Sequence, residues 1–153
     1  MTEETWLYNG KAITEDDIPS DAVGFLYVIR SLKDNRKYLG KKLLTKAATK
    51  TVNGKKKKVR KDSDWKNYWS SSPWLIEILE TEGRENFQRK ILCFAKSRGE
   101  LNYFEENAQY QLRVLEKDDW LNSNIRSRIF KKNVAKYDLK DYYRSLMVYR
   151  DCC

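Results

Sequence analysis

The 153-residue sequence contains no histidine. Histidine-containing zinc fingers, histidine-ligated zinc hydrolases, histidine-based nuclease sites and Ser-His-Asp machinery all need an imidazole, so each of these classes is excluded. Any catalysis must therefore use carboxylates, tyrosines, serines, lysines, arginines or a metal ion held by oxygen ligands.

Long apolar runs and cysteines are also scarce. No apolar run approaches the ~18 residues that span a bilayer, and the N-terminal sequence lacks a signal-peptide pattern. The three cysteines, Cys93, Cys152 and Cys153, show no metal-binding spacing. This usage favours reduced thiols over a disulfide framework. We therefore expect a cytoplasmic protein with no membrane partner.

Positive charge, by contrast, is concentrated in one stretch between Lys41 and Asp62. Removing this stretch from the 31 basic and 22 acidic residues of the chain leaves 21 of each. Such a concentration suits phosphate neutralisation and electrostatic steering, and it predicts nucleic-acid contact; a solvated loop kept for solubility is the alternative. Its basic residues are Lys41, Lys42, Lys46, Lys50, Lys55, Lys56, Lys57, Lys58, Arg60 and Lys61.

The pattern of apolar and turn-forming residues predicts a small α+β fold. It favours a three-stranded antiparallel sheet flanked by helices, in a domain over residues 1–130 with a basic insertion loop over 41–62 and a C-terminal helical tail over 131–153. Asn53-Gly54 is typical of a tight hairpin turn, so a second hairpin within that loop is the alternative. The strands are predicted over 22–30, 37–40 and 87–94, and the helices over 74–82, 98–115 and 138–149.

Tyr27 and Tyr38 lie eleven residues apart on the two strands of the predicted first hairpin. Residues so placed can face the same side of neighbouring strands, although tyrosines also pair there for packing alone. Together, Phe25-Leu26-Tyr27 and Tyr38-Leu39-Gly40 resemble the two-part signature of the GIY-YIG nuclease family. The first triplet departs from it, with Phe25 where glycine is usual and Gly24 one position earlier.

Later segments resemble the phage-encoded, Seg-like homing-endonuclease subgroup of that family. The stretch 63–72 looks like a segment of this subgroup, as do Gly83 followed by 87–92, the helix bearing Glu105, and 120–122. The resemblance extends from about Gly24 to Phe130. It implies a metal-dependent endonuclease that uses Mg²⁺ or Mn²⁺, acts on double-stranded DNA and works in the host cytoplasm if the protein is phage-encoded.

The family's site implies roles for particular residues here. A single helical glutamate binds the metal, and we expect Glu105 rather than Glu106, because Glu105 lies nearer the apolar stripe of its helix while Glu106 points toward water. Tyr27 would orient or deprotonate the attacking water, with Tyr38 hydrogen-bonded nearby. Because a phenol has a pKa near 10, neighbouring metal and lysine charges would have to lower it.

The remaining roles are less uniquely assigned. No arginine stands at the family's usual short spacing after Gly40, so Lys42 and Arg60 are both candidates for the basic group beside the phosphate. Tyr68 and Ser71 could contact phosphate from the following turn. Asn122 resembles a late asparagine of the family that braces the site. Direct contacts to DNA are expected from Lys41, Lys55, Lys56, Lys57, Lys58, Lys61 and Ser71.

Two further questions stay open in the sequence. Trp65, Trp69 and Trp74 could stack on unpaired bases, but their spacing beside a helix favours the core. A nuclease, a non-catalytic nucleic-acid-binding module and a protein that inhibits a partner are competing functions. Only a short stretch follows Ile129, so we expect sequence specificity to come from the basic loop, from a homodimer or from another partner, or else to be low.

Overall fold

The fold is taken from a computed structural model that describes residues 5–126, 129–133 and 138–150. Cys152 and Cys153 lie outside these residues. In chain order the elements are β1 (Leu7–Tyr8), β2 (Lys11–Ala12), β3 (Gly24–Ser31), β4 (Lys37–Leu43), β5 (Thr45–Val52), β6 (Lys55–Asp62), α1 (Pro73–Glu82), β7 (Phe87–Ala95), α2 (Arg98–Gln111), β8 (Asn124–Ile125), β9 (Ile129–Phe130) and α3 (Lys140–Arg150).

The central sheet has five strands in the order β2-β1-β7-β3-β4. The α+β class is confirmed, and strands β7, β3 and β4 are antiparallel as expected. The three-strand prediction is wrong in extent, because the β1–β2 hairpin adds to the sheet with β1 parallel to β7. Trp6 explains this addition: it is buried, and its indole Nε1 donates to the Trp65 carbonyl at 2.7 Å.

The basic stretch is not a loop over most of its length. Strands β5 and β6 form a separate two-stranded hairpin that spans residues 45–62. Asn53 and Gly54 form its turn with φ values of 53° and 76°, which is the left-handed conformation that tight hairpin turns require. The prediction of a loop is therefore wrong, and the alternative is correct: the chain forms a hairpin that turns at Asn53-Gly54.

Helices α1 and α2 cover opposite faces of the central sheet. Leu75 and Leu79 of α1 pack in one core cluster with Tyr27. Phe104 of α2 packs in a second cluster with Leu39. Because successive side chains of a strand point to opposite faces, residue parity along β3 and β4 decides which helix each side chain meets.

The boundaries of α1 follow local signals in the sequence. The Ser72 hydroxyl accepts a hydrogen bond from the Leu75 amide, and Pro73 occupies the first turn. Gly83 ends the helix with φ at 91°. The helix predicted over 74–82 therefore begins one residue earlier, at Pro73, and ends as predicted, because serine caps a helix N-terminus, proline suits its first position and glycine tolerates positive φ.

Helix α2 begins as predicted but ends earlier. The Ser97 hydroxyl accepts from the Glu100 amide at 3.0 Å. The predicted continuation to Leu115 is wrong, because the helix ends at Gln111 and Arg113 takes a φ of 56°. This reversal turns the chain so that Leu115 is buried in the second core cluster.

The C-terminal helix α3 contacts the rest of the protein through Tyr143. Its hydroxyl donates to the Glu116 carboxylate, and Arg113 lies over its ring at 4.3 Å from the centroid. Across the described ranges, no helix combines the length and apolar character that crossing a membrane requires.

Candidate functional site

An open cleft of about 670 Å³ lies beside β4, the strand at the edge of the central sheet. Most of the predicted catalytic and supporting residues line it, together with two of the predicted DNA contacts, Lys41 and Ser71. The catalytic and supporting residues are Tyr27, Tyr38, Gly40, Tyr68, Glu105 and Asn122. Lys42, Arg60 and the hairpin lysines are not among the described residues that do so.

Tyr27, Tyr38 and Gly40 are arranged by the register of β3 and β4. Tyr27 pairs with Gly40 and Ile29 pairs with Tyr38, so the two tyrosines are diagonal neighbours on one face. Their ring centroids are 6.5 Å apart. A Cβ atom on Gly40 would lie 2.5 Å from the Tyr27 hydroxyl oxygen. Glycine is thus required at position 40 because the Tyr27 ring lies directly across it.

The third tyrosine, Tyr68, packs edge-on against Tyr27 with centroids 6.1 Å apart. Lys42 approaches the ring of Tyr68 with its Nζ 4.0 Å from the centroid. The same Nζ lies 2.6 Å from Oδ1 of Asp64. Lys42 therefore stands behind the Tyr68 wall of the cleft, where its charge is shared between a carboxylate and an aromatic face.

Arg89, which the sequence analysis missed, holds the segment that carries Tyr68. Its buried guanidinium donates from Nη1 to the carbonyls of Lys66 and Tyr68 at 3.1 and 2.7 Å. It also lies over the Trp6 and Trp69 rings, 4.7 and 4.4 Å from their centroids. The period-two pattern of β7 could have identified it, because Arg89 shares a face with residues 87 and 91 of that core.

Glu105 reaches the cleft from the opposite side of the sheet. Although α2 packs against the face away from the tyrosines, the Glu105 side chain lines the cleft next to edge strand β4. Lys41 lies near it, with Nζ 3.7 Å from Oε1. Burial raises the pKa of the Glu105 carboxyl, and the charge of Lys41 offsets part of that rise.

Glu106 takes a different position from its neighbour. It is not among the described residues that line the cleft, and its Oε1 lies 3.3 Å from Nε of Arg126. The expectation that Glu106 simply points to water is wrong, since the side chain is half-buried in this ion pair. Arg126 itself lines the cleft, so the pair forms part of its rim.

The protein raises, rather than lowers, the pKa values of the two signature tyrosines. Burial raises the pKa of Tyr27 well above its usual value, and the neighbouring Tyr68 and Tyr38 phenols raise it further. Burial also raises the pKa of Tyr38, while a hydrogen bond to Ser70 partly offsets both rises. From the sequence, we expected neighbouring metal and lysine charges to lower the phenol pKa, and the lysines do not do so. Tyr27 and Tyr38 are both neutral phenols at ordinary pH.

Asn122 braces edge strand β4 from the outside. Its side chain is buried, and it accepts from the Leu39 amide at 3.0 Å and donates to the Leu39 carbonyl at 2.9 Å. Just before it, Lys37 exchanges backbone hydrogen bonds with Asp119 and Leu121. The Asn122 side-chain amide thus extends this short ladder in the way that a peptide group would.

The hairpin presents its basic residues unequally on its two faces. Pairing of Lys46 with Lys61 and of Lys50 with Lys57 places these residues on one face. We call this the lysine face; its basic residues are Lys46, Lys50, Lys55, Lys57 and Lys61. The opposite face carries Lys56, Lys58 and Arg60, with Thr45, Thr49, Thr51 and Asp62 among them.

The lysine face is linked to the Tyr68 wall by charge. Lys46 contributes to lowering the pKa of Asp64, after the larger effect of the Lys42 ion pair. Arg60 lies on the opposite face and donates from Nη2 to the hydroxyl and carbonyl of Thr45, at 2.7 and 3.0 Å. Between the two candidate basic groups, only Lys42 stands next to a residue that lines the cleft.

A metal ion would find one carboxylate in this cleft. Glu105 is the only acidic residue among the described residues that line it, and the described part of the chain contains no group of three His, Cys, Asp or Glu side chains suited to a metal. Mg²⁺ commonly uses one or two carboxylates and keeps several waters. A partly desolvated carboxylate beside polar side chains fits that habit.

Comparison with known proteins gives one match. A family model described as "Putative endonuclease segE, GIY-YIG domain" matches residues 6–125. No curated protein and no solved structure matches the chain. The matched range runs from Trp6 through β8, and it contains every residue named above as lining the cleft except Arg126.

Proposed function

Because the chain belongs to the GIY-YIG family of Seg-like endonucleases, we propose that it hydrolyses phosphodiester bonds in double-stranded DNA with a divalent metal ion. The observation that carries this proposal is the convergence of Tyr27, Tyr38 and Glu105 on one cleft. These residues come from two strands and from a helix on the other face of the sheet. The packing of the helices against the sheet does not by itself require these three side chains to lie in one cleft.

Glu105 is the proposed metal ligand, with Mg²⁺ or Mn²⁺ as the ion. When bound, such an ion supplies positive charge to the phosphate oxygens and lowers the pKa of coordinated water. The Glu105 carboxylate is destabilised by burial and has a single lysine nearby, so a cation in the cleft would relieve its desolvation.

Tyr27 is proposed to orient the attacking water as a neutral phenol. A phenol whose pKa is raised remains protonated at neutral pH, so it can donate and accept hydrogen bonds but cannot act as a general base. Tyr68 and Ser70 would hold the Tyr27 hydroxyl in place, because both share side-chain hydrogen bonds with it. The cleft is open to solvent, which gives the proton from the water a route into bulk solution.

The DNA phosphates would meet basic groups on several sides. Lys41 and Arg126 line the cleft, Lys42 stands behind Tyr68, and the lysine face extends the positive surface away from it. We assign the lysine face to the duplex backbone rather than to base recognition, because lysine contacts phosphate as a point charge. A homing role, a phage origin and a homodimer stay predictions from the resemblance.

Plasmid nicking by the Glu105→Gln variant tests the proposal. Wild-type protein with Mg²⁺ or Mn²⁺ should nick plasmid DNA, and the variant should lose about 100-fold or more of that rate while DNA binding persists. Glu106→Gln is the matched control, because it removes the neighbouring carboxylate that does not line the cleft.

Two outcomes would contradict this assignment. If the wild-type protein nicks no DNA with either metal, the enzymatic function is wrong. The two non-catalytic functions, a nucleic-acid-binding module and a protein that inhibits a partner, are then left. If Glu106→Gln loses as much activity as Glu105→Gln, the metal ligand has been assigned to the wrong glutamate.

A further inference from the structure

Trp74 is the one tryptophan that the fold leaves exposed, and all five tryptophans lie in the described part of the chain. Trp74 is 54% exposed. The exposures of the others are 1% for Trp6, 6% for Trp65, 5% for Trp69 and 6% for Trp120. The core interpretation is therefore correct for Trp65 and Trp69 and wrong for Trp74.

Folding does not account for the position of Trp74. Helix α1 buries Leu75 and Leu79, which are one turn apart on its inner face, and it does so without the indole. Trp74 instead stands in the first turn, beside the Ser72 cap, where it lines the cleft with the signature tyrosines. Single exposed apolar side chains are common, but an indole that lines a polar cleft presents a flat aromatic face to whatever the cleft binds.

We infer that Trp74 stacks on an unpaired or displaced base next to the phosphate held in the cleft. This inference rests on the proposed function. An indole offers a flat face to any of the four bases, and such stacking tolerates different sequences. The polar groups of the cleft contact the sugar-phosphate backbone, whereas Trp74 supplies the contact that a base face needs.

The inference narrows the substrate class. In an intact duplex both faces of each base are covered by neighbouring pairs, so stacking on Trp74 requires a base to leave the stack. A mismatched or unpaired base leaves at lower cost than a paired one. The protein should therefore prefer DNA that is locally unpaired or distorted at the phosphate it cuts.

Binding measurements in the Glu105→Gln background test this preference, because cleavage by that variant is expected to be slowed about 100-fold or more. The probes are a short fully paired duplex and the same duplex with one central mismatch. We expect tighter binding to the mismatched probe, and we expect Trp74→Ala to reduce that binding by on the order of tenfold, the size of one base–aromatic stack. Tyr103→Ala removes another exposed aromatic, from α2 outside the described lining of the cleft, and should bind like its parent.

Intrinsic fluorescence provides a second, direct readout. Because the other four tryptophans are buried, the mismatched probe should quench mainly Trp74. The Trp74→Phe variant keeps an aromatic face, so it should retain most of the affinity while losing the quenching.

Several outcomes would overturn the inference. Equal binding of Trp74→Ala and Tyr103→Ala to the mismatched probe would do so, as would unchanged fluorescence at saturation. A Trp74→Ala variant that shifts the sedimentation coefficient of the free protein and leaves DNA binding unchanged would make Trp74 a contact between copies of the chain. In these cases the wild-type protein would still nick DNA, so the proposed function would be unaffected. A wild-type protein that neither binds nor nicks DNA would contradict the proposed function itself.

Discussion

Replacing the five lysines of the lysine face with glutamine should reduce the salt sensitivity of DNA binding. The register of β5 and β6 places Lys46, Lys50, Lys55, Lys57 and Lys61 on one side, and each of them is exposed. Each phosphate neutralised on B-form DNA contributes about 0.9 to the slope of log affinity against log salt concentration. Five contacts would therefore contribute at most about 4.5 to that slope.

The assay is fluorescence anisotropy of a labelled duplex, titrated at several salt concentrations with protein that also carries Glu105→Gln. The wild-type hairpin should bind with a steep salt slope, and the lysine-face variant should have a slope smaller by up to about 4.5. The matched control neutralises the opposite face through Lys56, Lys58 and Arg60. It removes three charges from a face that also carries Asp62, so it should change the slope less.

Two results would refute this reasoning. An unchanged slope in the lysine-face variant would mean that the hairpin does not contact the duplex backbone. An equal or larger loss in the opposite-face variant would mean that the hairpin binds through its other side. Because all the replaced side chains are exposed, thermal denaturation should show little difference in stability among the three proteins.

Three further predictions concern the cleft and its support. Gly40→Ala should destabilise the fold by about 1–3 kcal/mol in urea denaturation, because the new Cβ collides with Tyr27. Gly99→Ala is the control, since a Cβ there meets open space and should cause no such loss. Equal stability of the two variants would contradict the close approach of Tyr27 to Gly40. Asn122→Leu should cost about 2–4 kcal/mol by leaving both buried backbone groups of Leu39 without their partner and should also slow nicking, with exposed Asn35→Ala as the control. If Asn122→Leu unfolds at the wild-type urea concentration, the brace has no energetic role. Glu105→Gln should melt at a higher temperature than wild type at pH 8, because burial raises the folded pKa of this acid, so that its ionised form is the destabilised one. That difference should vanish below about pH 4, where the carboxyl is protonated in both states, and a lower melting temperature for the variant at pH 8 is the contrary result.

Local signals in the sequence were sufficient for the features that depend on neighbouring residues. Ser72-Pro73 and Gly83 set the ends of α1, because capping and positive φ are decided within one turn. The α+β class, the antiparallel pairing of the central strands and the family resemblance were likewise available from pattern and spacing. The residues that line the cleft were mostly named in advance, because the two signature triplets lie on adjoining strands.

Features that depend on distant contacts were missed. The parallel pairing of β1 with β7 joins Leu7 to Lys90, and no local pattern encodes that register. The exposure of Trp74 is decided by which side chains α1 buries against the sheet, so the spacing of tryptophans could not reveal it. The sequence also could not show how the Glu105 side chain reaches the cleft, because this depends on α2 lying next to edge strand β4 on the far side of the sheet.

The brace at Asn122 also determines when the site can form during synthesis. Its hydrogen bonds to Leu39 join positions separated by 83 residues, so they close one of the longest loops in the domain. Chains are made from the N-terminus, and contacts between distant positions are gained late in folding. A nascent chain that has already emerged as far as Glu105 contains all three central residues and still lacks the support of edge strand β4. Nuclease competence is thereby tied to completion of nearly the whole domain, and fragments that end before residue 122 are expected to be inactive.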